Sequence, residues 1–533
     1  MSMEKEQKKY LLKGDISGIQ EFIFNVQSDG AAKTLKAKSY YVSVISELCF
    51  NYCYKKLKDV GMSVELIFSG GGNFFIQITG DEPDEEVNKL QQQLNNELLH
   101  DDISVVLTLA NLDEKKFGDS WMALLQKSNK EKLRLYKGND AVFEPYLHEE
   151  KEYEQNKERF AAYRGGKEHN DLYKNIADRM VKSKVIETAL LGNLFSEGEL
   201  DFENRLANKL PFWKNYNKLD EYKEYRKKNY EEDYQIRKDE DLIDFDAFGD
   251  FAAHRTGTNK LAILKMDVDN LGSVFSHRIS SLDQAQKLSK QFQDFFDKTL
   301  FKIWWEQDEF KSNIYPVFVG GDDCFIVGAW DKVLPFAKAI NDAFQEYFER
   351  EYSLSAGIVI VDPKHPVISF AELAEDALSD AKKKNNFNET FSKSEHKKNS
   401  ISIFNEVFSW KEFDQILEVV NLVSPYLRND RIERSILDKI RNSAKGFHAL
   451  QQRILLKDCV DVPRIWKLKY YLGKKTNDNN FRKMEDALFK PYQEALQSAL
   501  MNKEGINPAV FPVAARIIEF STKKELNYGE NNK

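Results

Sequence analysis

In the stretch VFVGGDDCFIVG, residues 317–328, a Gly-Gly-Asp-Asp turn separates two apolar runs. Apolar runs on either side of such a turn predict a β-hairpin. Glycine and aspartate are common in purely structural turns, so the hairpin alone assigns no chemistry. The surrounding sequence has to distinguish a plain turn from a functional site.

The chain contains the same order of predicted elements twice. The first copy has a strand around Asp15, a long helical stretch and the hairpin SGGGNFFI that includes Gly70. The second copy has a strand around Asp267, a helical stretch and the hairpin that includes Gly320. Each copy then continues through a helix to another strand. This order, strand, helix, hairpin, helix and strand, predicts two ferredoxin-like α+β domains.

Only the second copy carries acids at its turn. Alignment of the hairpins places Gly70, Gly71, Gly72 and Asn73 opposite Gly320, Gly321, Asp322 and Asp323. Asp267 ends the neighbouring apolar strand, so we expect it beside this turn, with Asp269 close by. Clustered carboxylates resist ionisation unless a cation compensates them. Carboxylate oxygens are the ligands that Mg²⁺ and Mn²⁺ prefer, so we predict a site for two divalent ions.

The glycines of the turn suit a phosphate ligand, because bare backbone allows close approach. Two divalent ions can activate a hydroxyl and neutralise departing pyrophosphate, as in polymerases and nucleotidyl cyclases. Lys382 lies on a later helix, where it either neutralises a triphosphate or is solvated at a helix end. Lys33, Lys36 and Lys38 likewise either contact phosphates or lie on the surface.

The spacing of these features predicts four regions. A charged, tyrosine-rich tract separates the copies, and apolar residues with a period near 3.6 follow the second copy. We predict two palm domains of the nucleotidyl cyclase and polymerase type, a helical insert and a C-terminal helical bundle. The predicted bounds are 1–137 for the first palm, 138–245 for the insert, 246–410 for the second palm and 411–533 for the bundle.

The composition is typical of a globular protein with more than one domain. A chain of 533 residues is too long for a single hydrophobic core, and 42% of its residues are hydrophobic, as in globular proteins. A net charge of −8 argues against nucleic-acid binding over the whole surface, although a local basic groove remains compatible. Four cysteines without a CxxC pair predict neither disulfides nor zinc. No apolar run is long enough for a membrane span, so we expect a cytoplasmic protein without membrane contact.

The motifs together resemble the large polymerase/cyclase subunit of type III CRISPR effector complexes, in its Csm branch. The resemblance rests on GDISGIQEFIF (14–24), LKAKS (35–39), SGGGNFFI (69–76), DVDNLGSVF (267–275), GGDDCFIVGAW (320–330) and LSAGI (354–358). It covers nearly the whole chain. It implies two facing palm domains, ATP at their interface, and synthesis of cyclic oligoadenylate after the complex captures target RNA. The implied partners are other effector subunits, guide RNA and target RNA.

The resemblance also assigns roles to residues. Asp267, Asp322 and Asp323 are implied as catalytic metal ligands, with Asp269 as a further candidate. The residues implied or predicted to bind ATP are Gly320, Gly321, Lys382, Asn270, Gly70, Gly71, Gly72, Asn73 and Ser17. The acids are absent from the first hairpin, so we predict that the first palm binds nucleotide without catalysis.

One departure from the family concerns its nuclease domain. Many members begin with a helical HD domain that cuts single-stranded DNA, whereas here the first palm begins near residue 10. The His100–Asp101 pair lies inside that palm, so no DNase activity is predicted. A zinc site between the palms is not predicted either, because no cysteine occurs between Cys53 and Cys324.

Three alternatives remain at this point. The same site could join AMP from ATP to S-adenosylmethionine, and the sequence has no marker that separates this reaction from cyclic oligoadenylate synthesis. A scaffold subunit with a vestigial palm is the alternative without enzyme activity. A diguanylate-cyclase-like enzyme is more distant, because its usual GGDEF or GGEEF form is absent.

Overall fold

The computed structural model has the predicted α+β architecture, with two ferredoxin-like sheets and helices packed on them. It describes residues 8–26, 31–98, 103–134, 185–187, 199–201, 243–383, 398–443, 465–473, 488–489 and 509–523. Most of the predicted insert at 138–245 lies outside the described residues. Within it, the short strands β5 (Val185–Glu187) and β6 (Glu199–Asp201) form an antiparallel pair.

The first palm contains a four-stranded antiparallel sheet in the order β2-β3-β1-β4. Its elements are β1 (Lys9–Ser17), α1 (Ile19–Phe24), α2 (Ala31–Asp59), β2 (Ser63–Gly70), β3 (Asn73–Thr79), α3 (Asp84–Leu98), β4 (Ser104–Asn111), a 3₁₀ turn (Glu114–Lys116) and α4 (Phe117–Arg134). The central strand β1 is buried along most of its length, as its apolar sequence predicts.

The second palm contains a six-stranded sheet in the order β12-β11-β10-β7-β9-β8. Its elements are α5 (Phe245–Thr256), β7 (Leu261–Val268), α6 (Leu271–His277), α7 (Leu282–Asp294), a π-helical turn (Phe295–Thr299), α8 (Leu300–Trp305), α9 (Asp308–Lys311), β8 (Ile314–Val319), β9 (Asp323–Ala329), α10 (Trp330–Tyr347), β10 (Leu354–Val361), α11 (Val367–Lys383), β11 (Ser400–Ile403) and β12 (Glu406–Ser409). The β11–β12 hairpin extends the sheet beyond the four strands that the repeat predicts, and β11 pairs in parallel with β10.

The two sheets repeat one another residue by residue around their hairpins. Asp15 on β1 lies opposite Asn73 on β3, and Asp267 on β7 lies opposite Asp323 on β9. In both palms the first hairpin strand has a register shift just before the equivalent phenylalanine, Phe68 or Phe318. The duplication predicted from the spacing is therefore confirmed in the strand registers.

Helices follow the second palm, as the apolar periodicity predicts. They are α12 (Trp410–Arg428), α13 (Ser435–Ser443), α14 (Ile465–Gly473) and α15 (Val510–Ser521). A capping box of Ser409 and Glu412 begins α12, which fixes where the sheet ends and the helices begin. In the described part of the chain, none of the helices is both long and apolar enough to traverse a bilayer.

Two of the lysines in α2 lie in the interior and not on the surface. The Lys36 ammonium group donates a hydrogen bond of 2.9 Å to the carbonyl oxygen of Pro316, on β8 of the second palm. The Lys38 ammonium group donates to the carbonyl oxygens of Phe22 and Asn25. The prediction of surface exposure was therefore wrong for Lys36 and Lys38, because both side chains are buried against backbone carbonyl groups. Their contact with phosphate stays a prediction. The side chain of Lys33 lies outside the described part of the structure.

Burial of Lys36 predicts a measurable pH dependence of stability. Desolvation lowers the pKa of Lys36 from 10.5 to about 7. Between these values the unfolded chain holds a proton that the folded chain lacks, so this contribution to stability rises with pH. We expect Lys36→Met to remove this pH-dependent contribution to stability. The free energy of urea unfolding of wild type, relative to the variant, should then rise by about 2 kcal/mol between pH 6 and pH 8.5.

The matched control for this measurement is Lys130→Met, at an exposed position of α4. Its difference from wild type should stay constant over the same pH range. A constant difference for Lys36→Met as well would show that Lys36 remains protonated in the folded protein.

Candidate active site between two hairpins

Three carboxylates of the second palm lie at one end of its sheet. Asp323 begins β9 and pairs with Asp267 on β7, while Asp322 occupies the turn between β8 and β9. The backbone amide of Gly320 donates to the carbonyl oxygen of Asp323 over 2.8 Å, which closes the turn. The amide of Val268 donates to the carbonyl oxygen of Asp322 over 3.0 Å. The hairpin thus delivers both turn acids to Asp267, as the sequence predicts.

Mutual repulsion and burial raise the proton affinity of these acids. Burial, followed by the charge of Asp267, raises the pKa of Asp322 to about 6. Burial and the charges of Asp322 and Asp267 raise the pKa of Asp323 well above its usual range. The pKa of Asp267 is also raised by burial, although Lys382 opposes the shift. Such a cluster is electrostatically strained without a cation, which fits a divalent-ion site.

Lysine side chains compensate part of this negative charge. Lys382, near the end of α11, forms an ion pair with Asp267. Lys265 also lies on β7 but pairs with Glu375 of α11. Lys382 therefore lies beside the acids, and the alternative that it is only a solvated residue at a helix end was wrong.

Asp269 lies two residues after Asp267 and is held by hydrogen bonds. It accepts bonds of 2.7 Å from the hydroxyl groups of Ser353 and Ser355, and one of 2.8 Å from the amide of Asn399. These contacts engage both carboxylate oxygens. The role of Asp269 as a further metal ligand stays a prediction. The acids that converge at the hairpin, Asp267, Asp322 and Asp323, form the predicted donor set.

No preformed metal cage exists around this donor set. Among the residues that the structure describes, no three acidic, histidine or cysteine side chains are close enough to enclose an ion. Asp267 is engaged by Lys382, so the carboxylates would have to rearrange around a cation. Their oxygen chemistry and their mutual repulsion nevertheless fit Mg²⁺ or Mn²⁺.

The glycine hairpin of the first palm faces the acidic hairpin directly. A β-carbon at Gly71 would lie 3.6 Å from the backbone nitrogen of Gly321 and 3.7 Å from Oδ1 of Asp322. Gly71 and Gly72 have φ angles of +60° and +80°, which glycine adopts without steric cost. The two turns are therefore in near contact, and a side chain at this point would intrude on the acids.

A cavity of about 640 Å³ lies beside the facing hairpins. It includes five of the predicted ATP-binding residues, namely Gly70, Gly71, Gly72, Gly320 and Gly321, together with Asp323. The sequence motifs did not predict the side walls of this cavity, which include polar residues of α2 and α7. Ser39 and Ser46 line it from α2, and within the described residues their buried hydroxyl groups have no hydrogen-bond partner. Ser289 and Gln293 line it from α7.

The remaining predicted ligand residues lie outside this larger cavity. Asn73 lines an adjoining cavity of about 190 Å³, together with Lys13, Gly321 and Asp322. Asn270 is exposed in a left-handed conformation, one residue before α6. The hydroxyl of Ser17 is enclosed and has no partner in the described part of the chain. The predicted roles of these three residues stay predictions.

Aromatic side chains hold the two palms together next to the smaller cavity. Trp121 of α4 stacks on Phe75 of β3, with ring centroids 4.5 Å apart, and on Phe275 of α6, at 5.0 Å. Phe275 belongs to the second palm, so the stack crosses the interface. Stacked rings of this kind contribute beyond their buried area, so they stabilise the contact between the two palms.

Comparison with protein families matches each palm to a known domain. Residues 260–401 match the second palm domain of Cas10/Cmr2, and residues 8–148 match domain B of the Csm1 subunit. The chain belongs to the Cas10/Csm1 family. The resemblance inferred from the sequence motifs is therefore confirmed, and the α+β fold includes palm domains of this family.

Curated Cas10/Csm1 relatives align over most of this chain. The protein from Methanocaldococcus jannaschii is 27% identical over 483 residues, covering 75% of this chain and 59% of the relative. The protein from Streptococcus thermophilus is 24% identical, covering 91% of this chain and 66% of the relative. Both are named as single-strand-specific deoxyribonucleases of CRISPR subtype III-A. The absence of DNase activity in this chain stays a prediction.

Solved Cas10/Csm1 structures share the fold. A Csm1–Csm4 cassette in complex with pppApA superposes with a TM-score of 0.60 at 17% identity, covering 97% of this chain and 70% of that one. A cassette in complex with cA4 gives a TM-score of 0.58 at 17% identity, with coverage of 96% and 70%. These similarities extend over both palms and the helices that follow.

Proposed function

We propose that the second palm is a metal-dependent nucleotidyltransferase that converts ATP to cyclic oligoadenylate. The observation that carries this proposal is the acidic hairpin at Gly320–Asp323, which faces a glycine hairpin beside a cavity lined by both palms. A volume of about 640 Å³ lies within the range of small-molecule sites. Related cassettes have been solved with one ATP, AMPPNP, pppApA, cA3 and cA4, which supports adenine nucleotides as ligands of this cavity.

In the proposed reaction, the 3′-hydroxyl of one nucleotide loses its proton to solvent while its oxygen forms a bond to the α-phosphorus of another, and the bond from that phosphorus to the bridging oxygen of pyrophosphate breaks. The same step repeats, and a last attack of the terminal 3′-oxygen on the α-phosphorus at the 5′ end closes the ring and releases another pyrophosphate. Asp267, Asp322 and Asp323 would hold Mg²⁺ or Mn²⁺. Bound cations of this kind activate the hydroxyl and neutralise the leaving group. Lys382 would exchange its contact with Asp267 for a contact with the triphosphate. The hairpin glycines admit phosphate to the backbone.

The biological setting is proposed from the relatives. Their subtype III-A names and the Csm1–Csm4 cassettes support a role in an RNA-guided type III CRISPR complex. We infer that other effector subunits, guide RNA and target RNA are the partners, and that target RNA activates synthesis. This chain covers 59% of the length of the Methanocaldococcus relative, so the activity of the whole relative is a proposal for this chain.

The test is to incubate the assembled complex with ATP and Mg²⁺, with and without target RNA and S-adenosylmethionine. Products are identified by mass spectrometry. We expect cyclic oligoadenylate only when target RNA and Mg²⁺ are both present. An AMP adduct of S-adenosylmethionine would instead support the alternative acceptor, and no consumption of ATP under any condition would support the scaffold alternative.

A further inference from the structure

Two ion pairs of opposite polarity join β7 to α11 in the second palm. Lys265 and Asp267 lie two residues apart on β7, so their side chains are on the same face of the sheet. Glu375 and Lys382 lie seven residues apart on α11, which is about two helical turns. Lys265 forms an ion pair with Glu375. Asp267 forms one with Lys382. The lysine that precedes the strand acid is therefore held by an acid of the helix.

Lys265 is a buried cation within reach of the acidic cluster. Its side chain is 5% exposed, whereas that of Glu375 is 49% exposed. Side chains two residues apart on one strand face are about 7 Å apart at their β-carbons, a distance that a lysine side chain spans. A buried ammonium group needs an anionic partner, and Asp267 is the only acid of β7. Without Glu375, Asp267 is thus the partner that the strand itself offers to Lys265.

The first palm contains the equivalent lysine without the equivalent helix acid. Lys13 lies two residues before Asp15 on β1, in the register that Lys265 has on β7. Lys132 of α4 pairs with Asp15, and the position seven residues before Lys132 is Leu125. Lys13 pairs with Asp15 itself, over 2.5 Å. The duplication therefore contains an example of the strand lysine paired with the strand acid.

The partner of Lys265 changes the net charge at the candidate metal site. The three converging acids face one ammonium group, that of Lys382, which leaves two formal negative charges. If Lys265 turned to Asp267, only one would remain. The affinity of oxygen ligands for a divalent cation increases with their negative charge, so such a turn would weaken cation binding.

We propose that Glu375 is a positioning residue of the metal site. It holds Lys265 away from the acids and so preserves their affinity for a divalent cation. Glu375 acts through Lys265 and is not itself a ligand of the cation. The inference deepens the proposed function and rests on it, because it assumes that the converging acids bind Mg²⁺ or Mn²⁺.

The experiment measures binding of Mn²⁺ to the purified full-length chain without ATP, from the electron paramagnetic resonance signal of the free ion. The variant Asp322→Asn/Asp323→Asn identifies the binding that depends on the acidic hairpin. Glu375→Gln keeps the shape of a half-exposed side chain, so folding should not depend on it. We expect Glu375→Gln to weaken the acid-dependent binding about tenfold, because it releases Lys265 toward Asp267.

A second background tests whether the effect passes through Lys265. In Lys265→Met no ammonium group can be released, so adding Glu375→Gln should change the affinity for Mn²⁺ by less than about threefold. Replacing both members of a buried ion pair is often neutral for stability, so the double variant should fold.

Two variants of α11 provide the matched controls. Glu372→Gln removes the same charge from an exposed position one turn earlier, and its effect should also stay below about threefold. Glu375→Asp keeps the charge beside Lys265 and should recover most of the affinity for Mn²⁺.

Two outcomes would overturn the inference: equal affinities of Glu375→Gln and Glu372→Gln, or an equal loss from Glu375→Gln with and without Lys265. Either outcome leaves the proposed function intact, because the wild-type chain would still bind Mn²⁺ at its acids. If the wild-type chain showed no Mn²⁺ binding that depends on Asp322 and Asp323, the metal site itself would be rejected, and both proposals with it.

Discussion

Replacing Asp322 and Asp323 together by asparagine should lower ATP consumption by the complex at least about a thousandfold. Asparagine has nearly the same shape as aspartate but no charge, so the hairpin should keep its geometry while losing its affinity for divalent cations. The backbone hydrogen bonds of the turn, from Gly320 to Asp323 and from Val268 to Asp322, do not involve the side chains. The measurement is release of pyrophosphate in the presence of target RNA and Mg²⁺.

The control for this variant is Asp362→Asn. Asp362 follows β10 at the opposite end of the sheet, where its side chain is 71% exposed and forms an ion pair with Lys260. An exposed pair of this kind contributes less than about 1 kcal/mol, so activity should be unchanged. Target RNA binding should persist in both variants. Synthesis at the wild-type rate without Asp322 and Asp323 would rule out these acids as the metal site.

A valine at Gly71 should lower ATP consumption about a hundredfold, although every acid of the second palm remains in place. Its β-carbon would lie 3.6 Å from the nitrogen of Gly321 and 3.7 Å from Oδ1 of Asp322. The methyl groups beyond it would occupy the space between the hairpins and displace either the turn or its ligand. This result would show that the first palm forms part of the catalytic site.

The same substitution at Gly61 separates this effect from backbone strain. Gly61 has a φ angle of +84°, and a β-carbon there would meet nothing within 4 Å. It precedes β2 at the end remote from the hairpin. Valine in a left-handed conformation costs roughly 1–2 kcal/mol at either position, so both variants should unfold at a lower temperature. Only Gly71→Val should lose activity. Equal losses of activity would indicate that strain alone is responsible.

The sequence predicted the local architecture of both palms correctly because that architecture depends on short-range rules. Alternating apolar residues, paired glycines and repeated intervals specify strands, turns and their order. The convergence of Asp267 with Asp322 and Asp323 follows from the hairpin register. By contrast, the β11–β12 hairpin was not predicted, because its two strands of four residues each are too short for a periodic pattern.

The duplication, the α+β class, the family motifs and the acids that distinguish one hairpin from the other could all be recognised from the residues and their spacing. Which side chains these elements bring together became visible only in the packed structure. Lys36 is in the interior because α2 packs against β8, some 280 residues later. Lys13 of β1 and Lys132 of α4 both pair with Asp15, although 119 residues separate the two lysines. Such contacts depend on packing between distant segments, which no local periodicity encodes.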